Sequence, residues 1–201
     1  MMDLFYKGGL LMYPILVSSI LTVAFGMERA FHYMKRRIRN ETLSKIKSLI
    51  EQHQYDEAHT LAKESHDPVS AVIAEALQHR RETQLDIEEA ISLKGSTEIE
   101  KLNKNLHILE LIGSITPMLG LLGTVIGMAK SFKNIAEMQG PVDPSVLAGG
   151  IWEALITTVA GLCVAITAII LHHIFEDKVK SFAFLMKQYG AETVKLLRPD
   201  K

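Results

Sequence analysis

Residues 111–129 read LIGSITPMLGLLGTVIGMA and include no charged side chain. These 19 residues are enough to cross the ~30 Å hydrocarbon core of a bilayer as one α-helix. The small or hydroxylated residues recur every three or four positions, so they share one helix face: Gly113, Thr116, Gly120, Thr124 and Gly127. Such a face either allows a second helix to approach closely or lines a path through the membrane.

A second run of the same kind is found at residues 154–171, which read ALITTVAGLCVAITAIIL. Its small and hydroxylated face consists of Thr157, Thr158, Gly161, Ala165 and Ala168. Two spans with such faces predict a helical bundle whose inner surface consists of small side chains, some of them hydroxylated. Tight packing between helices accounts for the same pattern, and both interpretations stay open at this point.

The composition predicts a protein that is partly in the bilayer and partly in water. Hydrophobic residues make up 48% of the chain and charged residues 22%, with a mean hydropathy of +0.15. A further apolar run at residues 8–27 is followed by a charged cluster rather than by a small-residue cleavage site. We therefore interpret it as a retained membrane helix and not as a signal peptide.

The distribution of Lys and Arg predicts the orientation of the three spans. If the middle region and the tail are cytoplasmic, 19 basic residues lie inside and 3 lie outside, in agreement with the positive-inside rule. The predicted segments are a periplasmic N-terminus (1–7), a first span (8–28), a cytoplasmic helical region (29–107), a second span (108–132), a periplasmic loop (133–149), a third span (150–174) and a cytoplasmic C-terminal helix (175–201).

The cytoplasmic region has the pattern of several helices. Asp67 before Pro68 is suited to cap a helix that ends near Gln78, and another helix is expected to start near Thr83. From Ile87 an apolar stripe continues into the second span, which predicts one long helix leaving the membrane, with Gly95 as a weak point. A similar stripe after the third span predicts that this helix also continues into the cytoplasm.

The sequence gives no support to several other classes of protein. The net charge of −1 does not suggest nucleic-acid binding, and no Cys/His cluster has zinc spacing. Residues 120–131, GLLGTVIGMAKS, lack the spacing of a phosphate-binding loop. The single cysteine, Cys163, is expected to be a small packing residue. We expect no metal, no cofactor and no enzymatic activity.

Two motifs resemble those of a known family. TPMLGLLGTVIGM (116–128) is similar to the second-span signature of the MotA/TolQ/ExbB proton channels, and IWEALITTVAGLCVAI (151–166) to their third-span signature. The order of the motifs and the three-span layout agree as well, and the length resembles ExbB and TolQ most. The chain departs from the ExbB and TolQ pattern at Thr167, where proline is common.

The resemblance implies an all-α membrane protein that forms a homopentameric ring around a dimer of a single-span ExbD- or TolR-like partner. Ion flow down the proton-motive force would then drive work on a TonB- or TolA-like periplasmic protein, with the ring in the bacterial inner membrane among its lipids. A gliding or flagellar-type stator subunit is an alternative within the family. A passive membrane scaffold is an alternative outside it.

The resemblance also assigns residues. Thr124, Thr158 and Glu153 match family positions of the ion path. Residues 111–129 and 154–171 contain no Asp, Glu or His, so the titrating group is expected to be the partner's intramembrane Asp. Spans two and three would line the lumen and contact the partner through Gly113, Thr116, Gly120, Gly127, Thr157, Gly161 and Ala165.

Overall fold

The computed structural model describes residues 9–36, 38–137 and 144–198. Within these ranges the chain forms seven α-helices and no β-strand. They are α1 (Met12–Lys35), α2 (Asn40–Glu51), α3 (Tyr55–Glu64), α4 (Pro68–Gln78), α5 (Gln84–Asn103), α6 (Leu106–Glu137) and α7 (Pro144–Leu197). The predicted all-α fold is confirmed.

Three of these helices are long and apolar enough to cross a membrane. The qualifying segments are Met12–Lys35, Leu106–Glu137 and Leu147–Leu197. They correspond to the three predicted spans. The helices also extend into the predicted periplasmic loop, because α6 runs to Glu137 and α7 begins at Pro144.

The described residues divide into two compact units. The first unit takes its residues from Met1–Glu28 and Asn105–Ile174, and the second unit from Arg29–Lys104 and Phe175–Lys201. The first unit therefore contains most of α1, all of α6 and the first part of α7. The second unit contains α2 to α5 together with the C-terminal part of α7.

The second unit is organised around an apolar core in which α2, α3 and α4 bury one face each. Its buried side chains are Leu43, Ile46, Ile50, Ala58, Ala62, Val69, Val72, Ile73, Leu77 and Met186. Met186 belongs to α7, so the C-terminal part of that helix packs into the same core. The predicted apolar stripe of the tail is used here, with Phe175 and Val179 also buried.

The predicted helix starts in this unit are confirmed by their caps. The Asp67 carboxylate accepts hydrogen bonds from the backbone N–H of Val69 (3.0 Å) and of Ser70 (2.9 Å), which satisfies the free amides of α4. Thr83 and Asp86 form a reciprocal capping box at the start of α5. Between α2 and α3, His53 has a φ of 61°, so the two amphipathic segments are separate helices.

The predicted single helix from the middle region into the second span is wrong. Helix α5 ends at Asn103, Asn105 takes a left-handed φ of 65°, and α6 begins at Leu106. Asparagine adopts this conformation more readily than most residues. Within the first unit the Asn105 side chain donates a hydrogen bond to the Glu28 carboxylate (3.0 Å), which helps to fix the break.

The expected continuation of the third-span helix beyond the apolar run is confirmed. Helix α7 continues without interruption for 54 residues, from Pro144 to Leu197. In the second unit its tail approaches α5 closely, since a Cβ on Gly190 would stand 3.0 Å from Cγ2 of Ile91. The tail of α7 therefore packs against α5, the helix that precedes span two.

Candidate functional site

The small faces of α6 and α7 pack against each other within one chain. Thr116 and Thr157 are almost completely buried, with 0% and 1% of their surface exposed. A Cβ on Gly120 would stand 3.0 Å from the Thr158 Cα, and a Cβ on Gly161 would stand 2.8 Å from the Thr116 carbonyl oxygen. Both contacts are with backbone, so neither position has room for a larger residue.

The other small residues extend this interface along both helices. A Cβ on Gly127 would lie 2.9 Å from the Ala154 Cβ, and one on Gly113 would lie 2.5 Å from the Ile169 Cγ1. Ala165 is 2% exposed. Gly123 belongs to the same face, because its Cβ would lie 2.5 Å from the Thr157 Cγ2. We did not single out Gly123 from the sequence, although its spacing from Gly120 and Gly127 points to it.

Within the chain, the small faces of spans two and three are covered by each other. Of the seven residues expected to line a lumen, Gly127 is half-buried and the other six are buried within the chain. The six are Gly113, Thr116, Gly120, Thr157, Gly161 and Ala165. Tight helix packing, the second interpretation of the sequence pattern, accounts for them. The reason is that two small faces on neighbouring helices satisfy each other. Lining of a lumen in an assembly stays a prediction for these residues.

The two threonines assigned to the ion path are half-buried and differ in their hydrogen bonds. Thr158 Oγ1 donates to the carbonyl oxygen of Gly120 on the neighbouring helix (2.9 Å). Thr124 Oγ1 donates within its own helix, to the Leu121 carbonyl (2.6 Å). Thr124 lies four residues beyond Gly120, or about 6 Å along α6 at ~1.5 Å per residue. Along the axis of α6, the carbonyl bonded by Thr158 and the Thr124 hydroxyl are therefore separated by about one helical turn.

Glu153 is half-buried in the third turn of α7. Its Oε1 would lie 2.9 Å from a Cβ on Gly9, which has a φ of +69°. Trp152 beside it is 57% exposed, as expected for an aromatic side chain at a membrane interface. The third predicted ion-path residue therefore lies near the N-terminal end of α7.

The described part of the chain contains no group of three or more His, Cys, Asp or Glu residues that could hold a metal ion. His172 Nδ1 lies 3.2 Å from the Leu106 carbonyl oxygen, which accepts a hydrogen bond from it. Cys163, expected to be a small packing residue, is exposed in the single chain. It lies on the face of α7 that points away from α6.

Away from their shared interface, α6 and α7 expose large apolar side chains. In α6 these include Leu111, Met118, Leu122, Val125 and Phe132, and in α7 they include Leu155, Val159, Leu162 and Ile166. A water-soluble protein rarely exposes so much contiguous apolar surface. Lipid tails or neighbouring apolar helices are suitable surroundings for these faces.

Comparison with known proteins decides the family. Residues 64–188 match the MotA/TolQ/ExbB proton channel family. The chain belongs to this family. It is 33% identical over 168 residues to the biopolymer transport protein exbB1 of Vibrio cholerae, covering 80% of this chain and 72% of that protein. It is 29% identical over 202 residues to the biopolymer transport protein ExbB of Salmonella typhimurium, covering 94% and 81%.

A relative from a second branch of the family matches a shorter region. The Tol-Pal system protein TolQ of Pseudomonas aeruginosa is 42% identical over 89 residues, which cover 44% of this chain and 38% of that protein. Together with the three apolar helices, membership of the MotA/TolQ/ExbB family makes this chain a multi-pass membrane protein.

The departure from the common pattern of the family's ExbB and TolQ members has a visible result. Thr167 donates its hydroxyl hydrogen to the Cys163 carbonyl one turn earlier (2.9 Å), and α7 continues through this position. A proline at the same place would lack the backbone N–H and would clash with that carbonyl. In this member of the MotA/TolQ/ExbB family, the helix is therefore not interrupted at residue 167.

Proposed function

We propose that this chain is the ring-forming subunit of a proton-driven motor in the bacterial inner membrane. In this proposal the chain forms a homopentamer around a dimer of a single-span ExbD- or TolR-like protein. Membership of the MotA/TolQ/ExbB family and the names of the ExbB and TolQ relatives support this assignment. The motor would act on a TonB- or TolA-like protein, and the chain itself would catalyse no reaction.

The observation that carries the proton-transfer part is the chemistry of the α6–α7 pair. Residues 111–129 and 154–171 contain hydroxyls but no Asp, Glu or His. A hydroxyl does not take up a proton near neutral pH, so these spans need a titrating group from another chain. An Asp in the partner's span, inserted beside Thr124 and Thr158, would supply it.

The hydrogen bonds of the two threonines determine which protonation state of the partner's Asp they can bind. Each hydroxyl hydrogen is already donated to a backbone carbonyl, so each oxygen is left only as an acceptor. A protonated carboxyl can donate to such an oxygen, whereas a carboxylate cannot. We infer that the pair stabilises the protonated form of the partner's Asp while it crosses the middle of the membrane.

Orientation and ion entry complete the proposal. The N-terminus would be periplasmic and the C-terminus cytoplasmic, as the 19 to 3 distribution of basic residues indicates. Glu153, at the predicted outer end of α7, would attract protons to the entrance of the path. The tight packing of the small faces also suits a passive scaffold, which would form the same chain structure without conducting protons. A gliding or stator role would use the same proton path with a different target.

Proton flux separates the motor from the scaffold. The chain is co-purified with its single-span partner, reconstituted into liposomes that contain a pH-sensitive dye, and subjected to a potassium diffusion potential. We expect proton uptake with the native complex and none when the partner's Asp is changed to Asn. Equal flux with and without that carboxyl, or no flux from an intact complex, would contradict the proposal.

A further inference from the structure

The second unit has a groove of about 720 Å³ between α5 and the C-terminal part of α7. Its floor is apolar, with Val72, Ile91, Ile99, Met186 and Val194 among the lining residues. Its α7 side carries three cations, Lys187, Lys195 and Arg198. The groove is therefore apolar inside and basic along its α7 edge, while Glu88 lies on its α5 wall.

The dimensions of the groove fit a helix. On α5 the lining residues extend from Gln84 to Ile99, and on the other side from Ala183 in α7 to Arg198 just after its end. Each stretch covers about 22 Å at ~1.5 Å per residue, which is the length of about four helical turns. Small residues line both sides, namely Ser92, Gly95, Ser96, Ala183, Gly190 and Ala191. Small side chains on both walls allow a third helix to approach closely.

Gly95 is the most informative residue of the groove. A glycine inside a helix costs about 1 kcal/mol relative to alanine. At Gly190 the chain itself requires glycine, because a Cβ would stand 3.0 Å from Ile91. At Gly95 nothing lies within 4 Å of an added Cβ, so no contact within the chain explains the glycine. A helix entering the groove would explain it.

A complementary surface lies on the next face of the same helix. Leu85 is 77% exposed and Leu93 is 71% exposed, which is unusual for leucines outside the membrane-spanning part of the chain. Glu89 lies between them at a spacing of four residues and, like Glu100, is exposed. These four exposed residues, two leucines and two glutamates, form one face of α5 that is both apolar and acidic. We call it the α5 ridge. Its charge is opposite to that of the groove edge.

We propose that the α5 ridge of one copy of this chain occupies the groove of the next copy. Ridge and groove lie on adjacent faces of α5, so one chain cannot fill its own groove with its own ridge. The contact joins two different surfaces and is therefore heterologous, and a heterologous contact generates a ring when its rotation closes. Copies that share one orientation in a membrane are related only by axes along the membrane normal, which favours closure. The inference rests on the ring of copies proposed above.

Disulfide cross-linking of full-length chains tests this contact. All variants carry Cys163→Ala, which removes the native thiol. Chains with Leu93→Cys and one tag are co-expressed with chains carrying Ala191→Cys and a second tag, and membranes are oxidised. We expect a product that contains both tags. Neither variant should form a product when expressed alone, because a heterologous contact never brings two identical positions together. The matched control pairs Lys63→Cys with Ala191→Cys and should give no product.

A second pair of variants tests the groove itself. Gly95→Leu fills open space, so the chain should fold, whereas its large side chain would block the ridge of the neighbouring copy. We expect the cross-linked yield to fall about tenfold or more relative to Gly95→Ala, which corresponds to a loss of at least one interface anchor. Exchange of charge, with Glu89→Lys in one chain and Lys187→Glu plus Lys195→Glu in the other, should restore the yield that either change alone reduces.

The outcomes separate this inference from the function on which it depends. A complex of normal ring mass without any two-tag product would overturn the ridge-and-groove contact while leaving the ring intact. Cross-linking between two Leu93→Cys chains would also overturn it. So would a Gly95→Leu chain that loses the single-span partner but cross-links normally, because the groove would then bind that partner. Failure of the native chain to assemble at all would overturn both the contact and the ring.

Discussion

The Thr158 hydroxyl donates a hydrogen bond of 2.9 Å to the carbonyl oxygen of Gly120, and a side chain on Gly120 would stand 3.0 Å from the Thr158 Cα. Glycine on α6 is therefore the condition for the hydroxyl on α7 to reach that carbonyl. One side chain joins the two spans and belongs to the proposed proton path, so experiments on Thr158 have to separate stability from conduction.

Thr158→Val keeps the shape of the side chain and removes the hydroxyl. The lost interhelical bond is expected to cost about 0.6 kcal/mol of stability, a typical value for such bonds in membranes. Expression and partner binding should therefore persist, while energy-dependent uptake is abolished. Thr158→Ser is the matched control and should retain activity. If Thr158→Val is fully active in the flux assay, the hydroxyl has only a structural role.

Thr124→Val tests the second hydroxyl without a bond between helices. Thr124 donates only to Leu121 in its own helix, so its replacement should leave stability unchanged. We expect the same loss of energising activity as for Thr158→Val. Glu153→Gln should reduce ion entry less completely, because it alters the entrance and not the middle of the path. Full flux in the double variant Thr124→Val, Thr158→Val would refute both assignments.

Gly161→Ala tests the interface between α6 and α7. The new methyl group would stand 2.8 Å from the Thr116 carbonyl oxygen, so the helices must separate. We expect a loss of about 1–3 kcal/mol, typical of overpacked sites, seen as a lower melting temperature in detergent. Gly161→Leu and Gly120→Leu should be more severe and should impair assembly. Gly149→Ala, on the same helix with open space around it, is expected to melt like the native chain.

Glu98 gives the second unit a dependence on pH. It is 5% exposed and accepts hydrogen bonds from Arg36 (2.9 Å) and Lys101 (2.7 Å). Burial raises the pKa of this carboxyl, but the hydrogen bonds and positive charges of Lys101 and Arg36 outweigh burial and hold the pKa below its usual value of 4.5. Because the folded pKa is the lower one, the stabilisation is present above the unfolded pKa and is lost as pH falls through the folded pKa.

Glu98→Gln is therefore expected to destabilise the chain by about 1.5–3 kcal/mol near neutral pH, the value of a charged hydrogen bond, and towards the lower figure because Lys101 is half-exposed. The difference in melting temperature from the native chain should shrink as pH falls below 4.5. Glu100→Gln, an exposed carboxylate on the same helix, serves as the control. A difference that stays constant from neutral to acid pH would argue against this ion-pair network.

Topology can be tested by thiol labelling in the Cys163→Ala background. Cysteines at Asp143, which lies outside the described residues, and at Lys63 should react with a membrane-impermeant reagent from opposite sides. We expect Asp143→Cys to label from the periplasm and Lys63→Cys only after the membrane is opened. Periplasmic labelling at residue 63 would reverse the assigned orientation.

The sequence was sufficient where the signal is local. Asp67 and Thr83 mark helix starts because their side chains bond to amides two or three residues away. The three spans follow from length and apolar content. The two span motifs were enough to identify the family, which the comparisons confirm.

The sequence was not sufficient to predict the structure where a residue can adopt two backbone conformations, or where a helix face can pack against two different partners. Asn105 lies in an unbroken apolar stripe, and only its left-handed φ reveals that α5 and α6 are separate. The periodicity of Gly120 and Gly161 identifies a small face but not what covers that face. In the chain the small face of α6 is covered by that of α7. The paired residues are about 40 positions apart in sequence, so a local pattern cannot reveal the pairing.

The contrast between the break at Lys104–Asn105 and the continuity of α7 has a consequence for insertions and deletions. One residue added within α7 turns every later side chain by ~100° about the helix axis, so the buried faces on the two sides of the insertion would no longer match their partners. One residue added at Lys104–Asn105 falls between two helices and leaves the register of both unchanged. We therefore expect an inserted or deleted residue to be tolerated at Lys104–Asn105 and to be disruptive within α7.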